Sequence, residues 1–430
     1  MRPESLRILH LTTSFPLGSE NPFGLFVWRL IHTLEKRGLS CPVLTPAGIR
    51  PSSMAQLLEV YRFRYAPKSW QLLANREGGI PEALNHNPLL YALVPQFLVS
   101  MAVYLVRMAR RCDIIHAHWS VCGAVAGLTQ PLHGRPVVTT LRGADTTWAE
   151  TRSPYAWLHE KSIKRSAVTV GVSSSIIKGL KKRYPGLSSR FAFVPNGVDE
   201  DFYAIRPSLR PFLPPLRLLF VGSLIPRKGL DSIFGALGRL DGIHKWTLTI
   251  AGDGTEKGRL VELAGRYQIS ERIRFLGMVS PRKIPALMAD HHLLVIPSRS
   301  EGRPNVVLEA MAAGLPVAGT DIDGIRELVR HGRTGWLVPP EDPAALAGVL
   351  KSIIQGEIDH ITAGKAARAW MIEHGLTWDK TAKLYCELYK KSLRNGDEII
   401  SSTMHHSFRP PLPDLKSQKH QNSLLFHQLL

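Results

Sequence analysis

Short apolar runs alternate with amphipathic stretches along most of the chain, and this alternation predicts its elements. LRILHLTT (6–13) predicts a strand. A helix follows over Phe26–Arg37, where Phe26, Leu30, Ile31 and Leu34 recur at helical spacing. Gly38 stops that helix, and CPVLTP is the next strand. DIIHAH (113–118), PVVTTL (136–141), VTVGVS (168–173) and FAFVPN (191–196) continue the series, with helical or loop segments between them. Continuous apolar strands alternating with helices imply parallel α/β layers.

The alternation breaks at AIRPSLRPFLPPL (204–216), a proline-rich stretch that predicts a stiff linker, and then restarts. LRLLFVGS, WTLTIAGDG, IRFLG, LLVIPS and PVAGT are strands. LDSIFGALGRL, EKGRLVELAGRY, SPRKIPALMADH, NVVLEAMAAG and GIRELV are the helices among them. The expected fold class is therefore α/β, with two Rossmann-like parallel-sheet domains in series and a cleft between them. The boundaries are a first domain over 1–203, the linker over 204–216 and a second domain over 217–375. A helical segment over 376–396 contains amphipathic WDKTAKLYCELYKKSL, and the polar, aperiodic stretch 397–430 is expected to be disordered. His405–His406 is read as tail composition and not as a metal site.

Composition adds a direction. The chain has 430 residues, enough for two or three domains of roughly 150 residues each, and is 44% hydrophobic, enough for a sizeable core. Its net charge is +19, and the first 200 residues carry 24 basic against 12 acidic side chains. A basic first half suggests an anionic partner, such as membrane headgroups, a phosphorylated substrate or nucleic acid, although excess charge also serves solubility. Cys41, Cys112, Cys122 and Cys386 are scattered without metal-ligand spacing, which fits a reducing compartment. LRILHLTTSFP is too short an apolar stretch for a signal peptide. PLLYALVPQFLVSMAVYLVRMARR (88–111) is long enough to span a bilayer, but Pro95, Gln96 and Ser100 interrupt it. It is read as a helix packing on, or dipping into, a membrane surface.

Candidate chemistry gathers at strand exits, where open α/β sheets bind ligands. In VGSLIPRKGLD, Arg227 and Lys228 occupy a loop whose Gly222 and Gly229 permit close backbone approach, and two cations there suit a diphosphate. Ordinary solvated charges are the competing reading. AGDGTE reads as a tight turn, and Asp321 and Asp323 of GTDIDG as a polar turn rather than a metal pair. SRSEGRPNVVLEAMAAGLPV (298–317) carries the strongest signal. Gly302, Pro304 and Asn305 lead into a helix whose first free amides, near Asn305 and Val306, favour an anion. Glu309, set in an apolar run, suits two vicinal hydroxyls such as those of a ribose, and Glu301 on the loop can face the same ligand.

In the first half, His116 and His118 lie on one side of a strand, with Trp119 next. A metal pair is conceivable, but no acid or cysteine is spaced with them. His118 is preferred as an acceptor-binding or catalytic group and His116 as a core residue. Arg142, Gly143 and Asp145 bunch at another strand exit, and Gly24 precedes the first helix, where backbone amides could meet a phosphate.

Together these motifs, with VPNGVD (194–199), resemble the family 4 glycosyltransferases of two-Rossmann GT-B architecture over about 6–395. The resemblance implies transfer of a hexose-type sugar from a nucleotide-diphosphate sugar, with retention, to a glycan or lipid-linked acceptor. It places Glu309 on the ribose hydroxyls and Glu301 near the donor sugar. Arg227 and Lys228 would neutralise the diphosphate with the amides near Asn305 and Val306. Gly24, Gly222 and Gly302 would line the donor site. His118 would sit by the reacting sugar, Arg142 and Asp145 on the acceptor side, and the last helix would cross back to the first domain. No metal or other cofactor, and no nucleic acid, is expected. The sequence departs from the family at Leu25 after Gly24, at Arg303 between Gly302 and Pro304, and at Arg142–Gly143 where many relatives have His-Gly. RYAPKSW and GGIPEAL resemble bacterial members that build surface polysaccharides, and the expected location is the cytoplasmic face of an anionic membrane. A nucleotide-sugar epimerase of the same fold and a non-catalytic nucleotide-sugar binder are the alternatives.

Overall fold

The computed structural model describes residues 6–18, 21–48, 58–75, 79–143, 153–206, 215–240, 242–243 and 245–394. Asp145, most of the proline-rich linker and the 397–430 stretch lie outside the described residues.

The first sheet has seven parallel strands: β1 (Ile8–Leu11), β2 (Val43–Pro46), β3 (Val60–Phe63), β4 (Ile114–His118), β5 (Val137–Leu141), β6 (Val168–Gly171) and β7 (Phe191–Phe193). Their order is β3-β2-β1-β4-β5-β6-β7. The second has six parallel strands: β8 (Leu216–Val221), β9 (Trp246–Ala251), β10 (Ile273–Gly277), β11 (Leu293–Ile296), β12 (Val317–Thr320) and β13 (Gly335–Val338). Their order is β10-β9-β8-β11-β12-β13. The expected α/β class is therefore the observed one. Central strands such as β1, β4, β5 and β11 are buried along their whole length, so they read as largely apolar runs, and the histidines and threonines within them lie in the interior.

Strand order reverses between β1 and β4 in the first sheet and between β8 and β11 in the second. A crevice opens outside the carboxyl ends of the strands at such a switch point. The loops leaving β8 and β11 are those that carry Arg227, Lys228 and Glu301. The sequence thus places its strongest motifs where the topology makes room for a ligand.

Three details differ from the sequence pattern. The first helix, Leu25–Lys36, buries Val27, Leu30, Ile31 and Leu34, so Val27 takes the core position expected of Phe26. Phe26 turns to the cleft, where the Arg142 guanidinium lies 4.2 Å above its ring. Edge strands β3 and β13 were not legible, because VYRF mixes polar with apolar residues and GWLV is short. The segment over 88–111 begins as a 3-10 turn, Pro88–Leu93, and becomes α-helical over Val94–Ala109.

The helix Trp378–Arg394 packs on the first domain. Its Trp378, Ala382, Tyr385, Leu388 and Tyr389 share a core with Val27, Leu30, Ile31 and Leu34. Arg37 clasps Asp379 at 2.6 and 3.0 Å. A Cβ on Gly197 would come within 2.1 Å of the Trp378 nitrogen, so the chain can return across VPNGVD only over a glycine.

Candidate active site

A cleft of about 660 Å³ runs between the two domains. Its second-domain wall contains Gly222, Arg227, Lys228, Glu301, Gly302, Asn305, Val306 and Glu309; its first-domain wall contains Gly24, Arg29, Trp119, Arg142 and Asn196.

Glu301 is the electrostatic centre of the second-domain wall. Its side chain is only 8% exposed. Lys228 Nζ donates to Oε1 at 2.5 Å, Ser298 Oγ donates to the same oxygen at 2.8 Å, and Arg227 lies 3.6 Å from Oε2. Burial alone would raise the Glu301 pKa; the charges of Lys228 and Arg227 and the two hydrogen bonds outweigh it and hold the carboxyl below its usual range. Burial in turn lowers Lys228, with Glu301 opposing. Arg227 also donates to the Ser300 carbonyl at 3.0 Å, which fixes the loop that carries Glu301.

The helix Asn305–Ala312 begins beside this group. Pro304 is its N-cap and offers no side-chain hydrogen bond, so no cap competes for the amides at the helix start. An anion in the cleft would meet two cations and a helix N-terminus together.

Glu309 already has a partner across the cleft: Arg29 Nη1 donates to its Oε1 at 3.0 Å, and the other arm of Arg29 pairs with Asp199. Asn305 is likewise engaged from the first domain. Asn196 donates to its Oδ1 at 2.8 Å and accepts from Arg142 Nη1 at 3.0 Å. The VPNGVD segment thus sends two side chains, Asn196 and Asp199, toward the donor wall.

Two residues expected at the site, His118 and Gly302, make contacts that the sequence could not show. His118 does not line the cleft: it is fully buried, one layer behind Trp119 and Arg142. Its Nε2 is 3.1 Å from His10 Nδ1, and its Nδ1 is 3.3 Å from Arg142 Nη2. In this conformation its two ring nitrogens are engaged by His10 and Arg142. Gly302 lines the cleft as expected of a donor-site glycine, and it also meets a second constraint. Its Cβ-less face packs against the first domain, where an added Cβ would meet the Arg142 carbonyl at 2.2 Å. Gly143, at φ 101°, is the other half of that contact.

Sequence spacing could not find the third histidine. His10, His116 and His118 bring ring nitrogens within 4.8 Å of one another. Hydrogen bonds account for most of these nitrogens. His116 Nδ1 is 2.6 Å from the Tyr389 hydroxyl and its Nε2 2.8 Å from Thr140 Oγ1, which in turn lies 2.8 Å from the Tyr385 hydroxyl. Burial drives the pKa of all three histidines down, His10 to about 3, and the nearby Arg142 charge further disfavours a cation on His116 and His118. The cluster is read as a neutral hydrogen-bonded network through which the last helix braces Arg142.

Trp119, at φ 70° and ψ 159°, sits in a backbone region that non-glycine residues rarely occupy. The strain turns its ring into the cleft, edge-on to Phe26 at 5.8 Å.

The chain is similar to known proteins in sequence and in fold. The family model for glycosyl transferases group 1 matches residues 201–370, and that for glycosyltransferase family 4 matches residues 24–202. Glycogen synthase of Mycobacterium tuberculosis (strain CDC 1551 / Oshkosh) is 30% identical over 297 residues, covering 66% of this chain and 70% of its own. The chain is a family 4 glycosyltransferase of the GT-B fold. The phosphatidyl-myo-inositol mannosyltransferase of Mycobacterium leprae (strain TN) is 28% identical over 397 residues, covering 84% of the glycosyltransferase described here and 98% of its relative. The Anabaena protein HepE in complex with UDP-glucose superimposes with a TM-score of 0.70 at 20% identity, covering 90% of this chain and all of that one.

Arg303, the departure within the family motif, gains a clear place in this glycosyltransferase. It is 6% exposed and pairs with Glu327, whose other oxygen accepts from the Ser174 amide and hydroxyl, both at 2.9 Å. Ser174 begins a first-domain helix. Arg303 therefore organises a bridge between the domains at the far side of Gly302. Asp321 and Asp323, set aside as a metal pair, are bonded by Arg326 at 2.6 and 3.3 Å.

Proposed function

We propose that the enzyme is a retaining hexosyltransferase that takes its sugar from a nucleoside-diphosphate donor and passes it to a hydroxyl of a glycan or lipid-linked acceptor in cell-surface polysaccharide assembly. The observation that carries this reading is the Arg227–Lys228–Glu301 group beside an uncapped helix start in an interdomain cleft. The diphosphate occupies that cationic corner, with the helix amides on its other side. Charge on the leaving group grows in the transition state, and preorganised cations and amides there stabilise it without reorganisation. Glu309 turns from Arg29 to the ribose hydroxyls, and Arg29 keeps its pairing with Asp199. Arg142, held by Asn196 and His118, faces the reacting centre from the acceptor side.

Because the protein's own cations meet the leaving group, no metal is required by this mechanism. The M. leprae relative is named for a lipid acceptor, and the Anabaena structure holds UDP-glucose, which supports the two substrate classes. The basic first half and the apolar helix Val94–Ala109 favour peripheral attachment at the inner face of an anionic membrane.

The test is product analysis in the presence of excess EDTA. Sugar transfer proceeds at an unchanged rate, and NMR of the product shows the anomeric configuration of the donor. Loss of activity with the chelator, or an inverted product, contradicts the mechanism.

A further inference from the structure

The cleft does not end at the donor groups. Its first-domain lining also holds an aliphatic group, Leu73, Ile80, Leu84, Val94, Leu98 and Leu158, which forms the apolar arm of the cleft. Ile80 and Leu84 come from the helix Gly79–His86, and Val94 and Leu98 from the helix Val94–Ala109. A mechanism confined to sugars and phosphates has no use for such walls. Hydroxyl-rich acceptors gain little from aliphatic side chains and would lose hydration there.

The same helix also forms the outside of the arm. Phe97, Met101, Leu105 and Ala109 point into the first-domain core. The opposite face leaves Val99 60% exposed, with Val103 and Tyr104, and the preceding turn leaves Leu89 83% exposed. Tyr91 belongs to both settings, lining the arm while half exposed at the surface. The aliphatic lining and the exposed apolar patch thus share Tyr91 and the helix Val94–Ala109. Arg107, Arg110 and Arg111 are exposed at the end of this helix, so cations border that patch. An apolar surface bordered by cations matches an anionic lipid bilayer.

We propose that the arm holds the apolar tail, an isoprenoid or acyl chain, of an amphipathic acceptor that enters from an anionic bilayer resting against Leu89, Val99, Val103 and Tyr104. The tail lies between the helices Gly79–His86 and Val94–Ala109. The hydroxyl-bearing head reaches the donor sugar past Trp119 and Arg142. The identity of the head rests on the transferase reading above; tail binding rests on the arm alone. Burying one methylene in an apolar site favours binding about fourfold. Affinity therefore climbs with chain length until the arm is full.

The experiment uses the full chain and a series of alkyl glucosides from hexyl to dodecyl, below their micellar concentrations. Affinity is measured by calorimetry, and a diazirine at the chain end maps contact by photolabelling and mass spectrometry. Affinity rises about two- to fourfold per added methylene, and label falls on peptides containing Ile80, Leu84, Leu98 or Leu158. Leu84→Trp fills the arm and flattens the chain-length dependence, and Ile80→Asn weakens it by making the wall polar. Melting temperatures identify whichever variant folds. Affinity independent of chain length, or label confined to the exposed face carrying Val99 and Val103, overturns the proposal. Nucleoside-diphosphate titration of the same samples separates the two readings. Failed tail binding with intact nucleotide binding removes only the tail, and the converse removes only the transferase reading.

Discussion

Lys228→Met lowers kcat by about 100- to 1000-fold and changes the KM for the donor much less. Losing one preorganised donor from a site of developing charge typically costs this much. Methionine is an unbranched side chain one atom shorter than lysine and uncharged, so most of the packing around Glu301 survives. The division between kcat and KM is the informative part. Removing a cation that binds the diphosphate equally in the ground and transition states would raise KM and leave kcat intact; removing one that acts on the departing diphosphate lowers kcat. Glu301 is left with Arg227 and Ser298 as partners. It thereby loses its closest cation in a site where it is almost fully buried. The variant is therefore also less stable, by about 1–3 kcal/mol. Melting curves measure this separately from turnover, and full activity in Lys228→Met would remove the cation from the mechanism.

Glu309→Ala weakens nucleoside-diphosphate binding by at least about tenfold. A hydrogen bond to a charged group contributes about 1.5–3 kcal/mol, and a carboxylate spanning two ribose hydroxyls can make two. Calorimetric titration reads this directly. The control is Arg29→Ala. In the free enzyme Arg29 holds Glu309 at 3.0 Å, so a ribose must compete with it. Removing Arg29 frees the carboxylate and leaves nucleotide affinity unchanged or higher, provided the fold is retained. If the two variants weaken nucleotide binding equally, the Arg29–Glu309 pair is a structural strut and the ribose is read elsewhere.

Much of the donor wall was legible because its signals are local. The IPRKG loop, the EGRPN turn and the apolar helix behind it lie within short windows, and each has a known preference at a strand exit. What was not legible arrives over long sequence distances. Arg29 meets Glu309 across 280 positions, and Tyr389 meets His116 across 273. No periodicity within a window reports such a partner. His118 illustrates the limit from the other side: its place at a strand's carboxyl end was readable, but the presence of His10 behind it and Arg142 in front was not. Arg303 looked like an unexplained charge in a turn because Glu327 and Ser174, which give it a role, belong to elements that meet only in the folded chain. Gly302 carried a correct signal, since it lines the cleft, but half of its reason was hidden. A glycine is needed there because another backbone lies against it, which composition alone cannot distinguish from approach by a phosphate.

The central proposal is that, in the interdomain cleft, a nucleoside-diphosphate sugar loses its sugar to an acceptor. The most direct measurement is release of nucleoside diphosphate from a panel of UDP-, GDP- and ADP-sugars, with and without a bacterial membrane extract as the source of acceptor. One donor class is expected to be consumed, release is expected to depend on the extract, and labelled sugar is expected to appear in the lipid- or polysaccharide-bound fraction. Conversion of the donor sugar without any acceptor, or nucleotide binding with no transfer from any donor to any fraction, would contradict the account.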